Sequence, residues 1–207
     1  MRLTRVFTAL LLVVVLAGGA TAALGQEGET GTVTVVHGLR GLLADLYLDG
    51  ELVLEGFRAE RTTDPMQVSA GRHRFAIREA GEPASSKPAL AGSVNVEAGS
   101  NWSLVAHQSP SGQPTLSVFD NDTSSVPSGR ARVVIRHTAD APPIDVLVNQ
   151  DAFVQNLAPT RQSTGSLSAD SYDVVVDNAQ GQGVLVPPSN IQFAEGSSNL
   201  LYLIGSA

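Results

Sequence analysis

Apolar and polar residues alternate along most of the chain after residue 31, and helical spacing is hard to find. Val33, Val35 and His37 occupy every second position of the first alternating stretch. A period of two predicts β-strands. Asp49-Gly50 follows the second stretch and predicts a two-residue hairpin turn, because both central residues of such a turn need positive φ. Turn residues at intervals of about 8–12 further predict an antiparallel sandwich or barrel.

The alternating pattern occurs twice, and the second occurrence begins about one hundred residues after the first. The recurring positions are Val33, Val35, His37, Asp45, Leu46, Leu48 and Asp49, which return as Val133, Ile135, His137, Asp145, Val146, Val148 and Asn149. We therefore predict two all-β domains of about seven strands each, at residues 31–120 and 131–206. Residues 121–130 are rich in Asp, Ser, Pro and Gly, and this composition predicts a linker.

The two predicted domains differ at their C-terminal ends. The first has a candidate strand at Thr115–Phe119 after its strand at Ser103–Ala106, whereas the second has only the matching strand at Asn199–Ile204. The second sandwich is therefore expected to have an open edge, which invites pairing with another strand. We favour an edge covered by a side chain or loop. The alternative is that Thr115–Phe119 crosses over and fills it.

The N-terminus has the pattern of a secretory signal peptide. Two arginines precede the apolar run Val6–Ala17, and the small residues Ala20-Thr21-Ala22 follow it. The run is shorter than the roughly 20 residues of a membrane-spanning helix. We predict a signal peptide at residues 1–22, cleaved after Ala22 or Ala23, and export of the remaining chain. The alternative is an N-terminal anchor that is not cleaved.

Composition excludes several classes of protein. The chain has no cysteine, which excludes disulfides, thiolate metal sites and a thiol nucleophile. Its formal net charge of −7 argues against a surface that follows nucleic-acid phosphates. Apolar residues make up 43% of the chain, too many for a disordered protein, so packed cores are expected.

His37 and His137 are the first candidates for a functional site, because each stands eight residues before an aspartate. A His–Asp pair can orient an imidazole for base catalysis or for metal binding. In that hypothesis His137 acts with Asp140 or Asp145. The competing hypothesis is structural: the ring bonds to a loop backbone, or to Asp45 or Asp145, and holds the turn in place. We favour the structural role because the histidine occurs in both domains.

Asp120–Ser124 resembles the first half of a calcium-binding loop, with oxygen ligands at alternate positions. The sixth position is Ser125 instead of glycine and the twelfth is Ala131 instead of glutamate. A solvated linker is therefore favoured over a calcium site.

The other two histidines are expected to have no special role. Arg72, His73 and Arg74 share a predicted strand with apolar residues, and alternation places most of this charge in solvent. His107 is assigned to a loop rich in Ser, Pro and Gly, with no partner.

Trp102 bears on sugar binding, which needs exposed flat rings. It shares strand parity with Leu104, so we expect it to cover the core rather than to form a binding platform. Leu39, Leu42 and Leu43 lie in a loop that is polar or proline-rich in the second domain, and they form either an exposed contact patch or an interdomain contact. We favour the interdomain contact slightly. Other aromatic residues at core parity are Phe75, Tyr172 and Phe193.

The second domain resembles a known family. Its opening strand, Arg132 to His137, is followed by Thr138-Ala139-Asp140-Ala141-Pro142-Pro143 and by a strand that begins near Asp145. This pattern is similar to the start of the domain-of-unknown-function family numbered 4397. In the first domain, residues 38–44 depart from it. The resemblance implies immunoglobulin-like sandwiches and export, and implies no particular activity. We therefore predict two tandem immunoglobulin-like antiparallel β-sandwich domains after a signal peptide.

Together these features predict an exported, non-catalytic protein that serves as a binding or structural module of the cell envelope or extracellular space. No residue is assigned as catalytic, cofactor-binding or metal-binding, and no cofactor is expected. The expected partner is an envelope or extracellular molecule and not nucleic acid, strand-edge pairing is one route to it, and no membrane span is expected after signal cleavage. The alternatives are a carbohydrate-binding module and a His/Asp-dependent hydrolase.

Overall fold

The computed structural model describes residues 8–16, 29–181 and 183–206, and these residues form β-strands and connecting turns without any helix. The predicted all-β class is confirmed. The strands in chain order are β1 (Thr8–Leu16), β2 (Thr30–His37), β3 (Leu43–Leu48), β4 (Glu51–Arg58), β5 (Arg61–Thr62), β6 (Met66–Ser69), β7 (Gly71–Glu79), β8 (Leu90–Val96), β9 (Asn101–Gln108), β10 (Pro114–Asp120), β11 (Arg130–His137), β12 (Ile144–Val148), β13 (Asp151–Leu157), β14 (Gln162–Ser168), β15 (Asp170–Asn178), β16 (Val184–Phe193) and β17 (Ser198–Ser206).

The described residues divide into two compact units. The N-terminal unit contains residues 29–107 and 113–122. The C-terminal unit contains residues 8–16, 108–112, 123–181 and 183–206. The predicted signal-peptide residues 1–7 and 17–22, with the cleavage site, lie outside the described residues. Within these ranges no helix has the length and hydropathy that crossing a membrane requires.

The N-terminal unit has two sheets that enclose one core. One sheet has the order β10-β9-β2-β5, with β6 also paired to β2, and the other has the order β4-β3-β7-β8. The strands β2 and β9 run parallel, with Val35 opposite Leu104, because the whole unit rather than a hairpin separates them. Buried side chains from both sheets form a single apolar cluster, which gives the unit sandwich-like packing.

The C-terminal unit has the same arrangement. Its sheets have the orders β1-β17-β11-β14 and β13-β12-β15-β16, and β11 runs parallel to β17. Its core includes Ile135, Val146, Val176 and Leu201, which come from both sheets. In each unit, alternate residues of the strands face the core, as the period of two predicts.

The edge of the C-terminal unit is filled by a segment that sequence analysis assigns to the signal peptide. β1 runs antiparallel to β17 from Thr8 opposite Ser206 to Leu16 opposite Ser198. Neither expected arrangement of this edge is correct: the cover is a strand rather than a loop or side chain, and Thr115–Phe119 stays within β10 beside β9. A short apolar run without alternation fits a strand apolar on both faces as well as a signal sequence.

The two-residue hairpin turn predicted at Asp49-Gly50 is present. β3 ends at Leu48, and Asp49 and Gly50 have φ values of 52° and 91° before β4 begins. The C-terminal unit makes the matching turn with Asn149 and Gln150, at φ values of 49° and 72°. A glutamine at such a position has steric strain that glycine avoids.

We therefore expect Gln150→Gly to stabilise the C-terminal unit by about 1 kcal/mol and Gly50→Gln to destabilise the N-terminal unit by a similar amount. Urea unfolding followed by circular dichroism tests the first variant. Fluorescence of Trp102, the single tryptophan, tests the second. A loss of stability in the Gln150→Gly variant would contradict the role of the turn.

Candidate functional site

The ring of His37 is buried and bonded to the backbone on both sides. His37 is the last residue of β2, and its side chain is fully buried. Its Nε2 donates to the carbonyl of Leu42 at 3.1 Å, and its Nδ1 accepts from the amide of Leu39 at 3.2 Å. Because a carbonyl only accepts and an amide only donates, these partners fix a neutral ring with the proton on Nε2. Burial lowers the pKa of His37, against the Leu42 hydrogen bond, which raises it.

His137 occupies the same place in the C-terminal unit. It is the last residue of β11, it is fully buried, and its Nε2 donates to the carbonyl of Pro142 at 2.9 Å. In each unit the acceptor is the carbonyl five residues beyond the histidine. The ring therefore connects the end of a strand to the loop that follows it.

The aspartates eight residues beyond these histidines bond to backbone amides of other segments. Asp45 accepts from the amides of Gly56 and Gly81, each at 2.9 Å. Asp145 accepts from the amide of Asn156 at 2.7 Å. Gly56 and Asn156 have φ values of 61° and 53°, and each lies opposite a register shift, so the carboxylate holds a left-handed residue at a bulge. The hydrogen bonds of these aspartates thus come from amides rather than from imidazoles.

Asp140, the other carboxylate considered for His137, belongs to the loop after β11. Its amide donates to the carbonyl of Gly205 at 2.9 Å, and the residue makes an isolated parallel bridge to Ser206. The loop that carries Asp140 is thereby attached to the end of β17. Among the residues described, no group of three or more His, Cys, Asp or Glu side chains could hold a metal ion.

His73 carries an ion pair with Asp49. Its Nδ1 lies 2.7 Å from Asp49 Oδ2, and its Nε2 donates to the carbonyl of Ser69 at 2.8 Å. The bond to Asp49 raises the pKa of His73. The pKa of Asp49 is lowered, first by the Arg74 amide and then by His73. Arg72 and Arg74 are exposed on the same strand, as alternation predicts.

The assignment of His107 to a loop without a partner is wrong. His107 lies in β9, which continues to Gln108, and it is 1% exposed. Its Nε2 lies 2.8 Å from the hydroxyl of Ser117 on the neighbouring strand β10. The Ser/Pro/Gly-rich loop begins only after Gln108, because strand pairing extends β9 beyond the predicted end at Ala106.

Residues of the calcium-like segment bond to other protein groups: Ser124 accepts from the Arg132 guanidinium, at 3.0 Å through its carbonyl and at 2.8 Å through its hydroxyl. Asp120 ends β10, and Asn121 is buried. The Asn121 amide nitrogen donates to Asn101 Oδ1 at 2.7 Å and to Ser103 Oγ at 2.9 Å. This asparagine therefore attaches the end of β10 to β9, and its side chain faces the protein interior.

The leucines of the first loop belong mainly to the core of their own unit. Leu39 is 4% exposed within that core and Leu42 packs against it, whereas Leu43 is 49% exposed. The three leucines therefore do not form an exposed patch together, and the interdomain contact stays a prediction. Trp102 also packs against this core, and its Nε1 donates to Ser100 Oγ at 2.8 Å.

One buried polar pair was missed in the sequence analysis. Arg136 is fully buried, and its guanidinium donates to the hydroxyl of Tyr202 at 2.7 Å and to Gln162 Oε1 at 3.0 Å. The first domain has the apolar residue Val36 at the corresponding position. The signal was an arginine between two buried positions of a strand, and alternation alone places such a residue in solvent.

The histidines at the strand ends are expected to be required for stability. His37→Ala and His137→Ala should each lower the free energy of unfolding by about 2–4 kcal/mol, because each leaves a cavity and an unsatisfied loop carbonyl. Thermal and urea unfolding measure the loss. The control His73→Ala removes a ring with a partly exposed ion pair and should cost less than about 1 kcal/mol. Equal losses in all three variants would contradict the structural role.

His37 and His73 are expected to contribute to stability with opposite pH dependence. The folded pKa of His37 is below its ordinary 6.5, so its contribution is complete above that value and is lost as the pH falls towards the folded pKa. The folded pKa of His73 is raised, so its contribution is complete below 6.5 and is lost as the pH rises through the folded pKa. Unfolding of His37→Gln and His73→Gln, monitored through Trp102 between about pH 5 and 8, measures both. The assignment would be contradicted if the stability lost in the two variants, relative to the wild type, changed with pH in the same direction.

The family model described as Domain of unknown function (DUF4397) matches residues 31–146, more than half of the 207-residue chain. The match contains His37 with Asp45 and His137 with Asp145. No curated protein sequence matches the chain. The resemblance seen at the opening of the second domain is confirmed, and the chain belongs to the family Domain of unknown function (DUF4397).

Proposed function

We propose that this chain is exported and acts without catalysis, as a β-sandwich binding or structural module of the cell envelope or extracellular space. The observation that carries the proposal is the use of the two strand-end histidines, His37 and His137. Both rings are buried and donate to loop carbonyls, so the most reactive side chains of the repeated pattern serve the architecture. Such a fold offers loops and sheet edges as binding surfaces.

The proposal includes two tandem copies of one domain. The matching orders of the sheets β4-β3-β7-β8 and β13-β12-β15-β16 support it. So do the matched hydrogen bonds from the histidine to the carbonyl five residues on and from the aspartate to the amide eleven residues on. Duplication of a structural device is expected when the device stabilises each copy.

The proposed export relies on the N-terminal residues as a signal peptide. Two arginines, an apolar run and small residues at 20–22 are the features that the export machinery and signal peptidase recognise. Removal after Ala22 or Ala23 leaves a chain that begins shortly before β2.

Sugar binding has less support from the side chains. A carbohydrate platform needs an exposed ring face, and Trp102 packs against the core of the N-terminal unit while its Nε1 bonds to Ser100. Tyr172 likewise packs against the core of its own unit, and its hydroxyl donates to the carbonyl of Ser168.

Expression of the full chain with its own N-terminus tests export. The intact mass of the protein in the medium and envelope fractions should correspond to loss of 22 or 23 residues. Leu12→Arg places a charge in the apolar run and should leave full-length protein inside the cell, whereas the control Leu12→Ile should be exported like the wild type. Export of both variants with Met1 retained would contradict the proposal.

A further inference from the structure

The edge of β17 in the C-terminal unit is built to receive a strand. β17 pairs with β11 on one side and with β1 on the other. The second pairing is continuous over nine positions without a register shift. Without β1, one whole side of β17 would have backbone amides and carbonyls with no strand partner.

The side chains of β1 complete the core as well as the sheet. Ala9, Leu11 and Val13 pack against the core of the C-terminal unit. Leu11 lies opposite Leu203 and Val13 opposite Leu201, and both leucines are fully buried. β1 also contacts β16, the edge strand of the other sheet, so it closes the gap between the two sheets on this side. Removing β1 would therefore expose core leucines to water.

The N-terminal unit fills the equivalent edge from its own sequence. β10 pairs with β9 and contacts β8, as β1 pairs with β17 and contacts β16. Leu116 of β10 packs against the core of its own unit. In the C-terminal unit, no described strand follows β17, so the residues that fill the edge come from the far end of the chain. The sandwich thus requires an edge strand, and in this unit the strand is the segment proposed to be removed on export.

We propose that the β17 edge is a strand-acceptor site, and that in the exported chain it is filled by an apolar strand of another polypeptide. The inference rests on the proposed removal of the signal peptide. The geometry of β1 specifies the occupant: an extended segment of about nine residues, antiparallel to β17. It has a small residue opposite Gly205, as Ala9 is, and apolar residues opposite Leu203 and Leu201. The position opposite Asn199 tolerates a polar residue, since Val15 is 53% exposed.

A peptide of residues 8–16 with lysines added at both ends is the probe. It is added to the exported protein, whose first residue is determined by mass spectrometry. Binding should be saturable, and the melting temperature should rise with peptide concentration, because the peptide binds the folded chain.

Two peptides with the same substitution provide a matched control. Val13→Asp places a carboxylate against the core and should weaken binding by at least about tenfold. Val15→Asp changes the same residue type at an exposed position and should bind within about threefold of the parent peptide. Equal affinities of the two variants would contradict insertion in the register of β1.

A tethered variant gives a second measurement. Residues 8–16 are attached after the C-terminus through a copy of the sequence 109–113, which joins β9 to β10. Thr8 lies opposite Ser206, so this connection yields a hairpin in the same direction as β1. The tethered chain should melt at a higher temperature than the exported chain and should no longer bind the peptide.

The results separate this inference from the proposed function. A product that still begins at Met1 contradicts the processing, whatever the peptide does. A product that begins at residue 23 or 24 and neither binds the peptide nor gains stability from the tether contradicts the acceptor site and leaves export intact. A processed chain that is a dimer through β17 and excludes the peptide would also overturn the inference, because the occupant is then a second copy.

Discussion

Each unit of this protein depends on satisfying backbone groups where buried strands give way to loops. Where strand pairing is interrupted or ends, amides and carbonyls have no ladder partner and take other partners, from side chains or water. His37 and Asp45 provide them in the N-terminal unit, through the carbonyl of Leu42 and the amides of Gly56 and Gly81. His137 and Asp145 provide them in the C-terminal unit. The repeated residues are those that hold turns.

This use of polar side chains shapes what the protein can do. An imidazole that donates to a carbonyl and accepts from an amide, as His37 does, has no nitrogen left for a substrate proton or a metal. The carboxylates of Asp45 and Asp145 likewise accept hydrogen bonds from backbone amides. In the proposed function, recognition is left to main chain and apolar surface, and the proposed acceptor edge of β17 is where both occur together.

The sequence was sufficient to predict the features that depend on local chemistry. Alternation around Val33 and Val35 predicts their strand, Asp49-Gly50 predicts its turn because of the required φ values, and the histidine pattern suggests a bond to a loop. The position of Thr8–Leu16 was not predictable, since an apolar run has no parity that distinguishes a signal sequence from a strand. The partners of His107 and Arg136, Ser117 and Tyr202, lie on strands whose adjacency only the sheet topology establishes.

The parallel pairing of β2 with β9 and of β11 with β17 affects how the chain folds. Each sandwich joins its opening strand to one made almost at its end, so a growing chain cannot close either sheet until nearly the whole unit has been synthesised. Contacts of such large sequence separation slow folding, to milliseconds or seconds in comparable all-β domains. Each unit of an emerging polypeptide with this topology therefore stays open until its last strands have been made, so the chain folds one unit at a time.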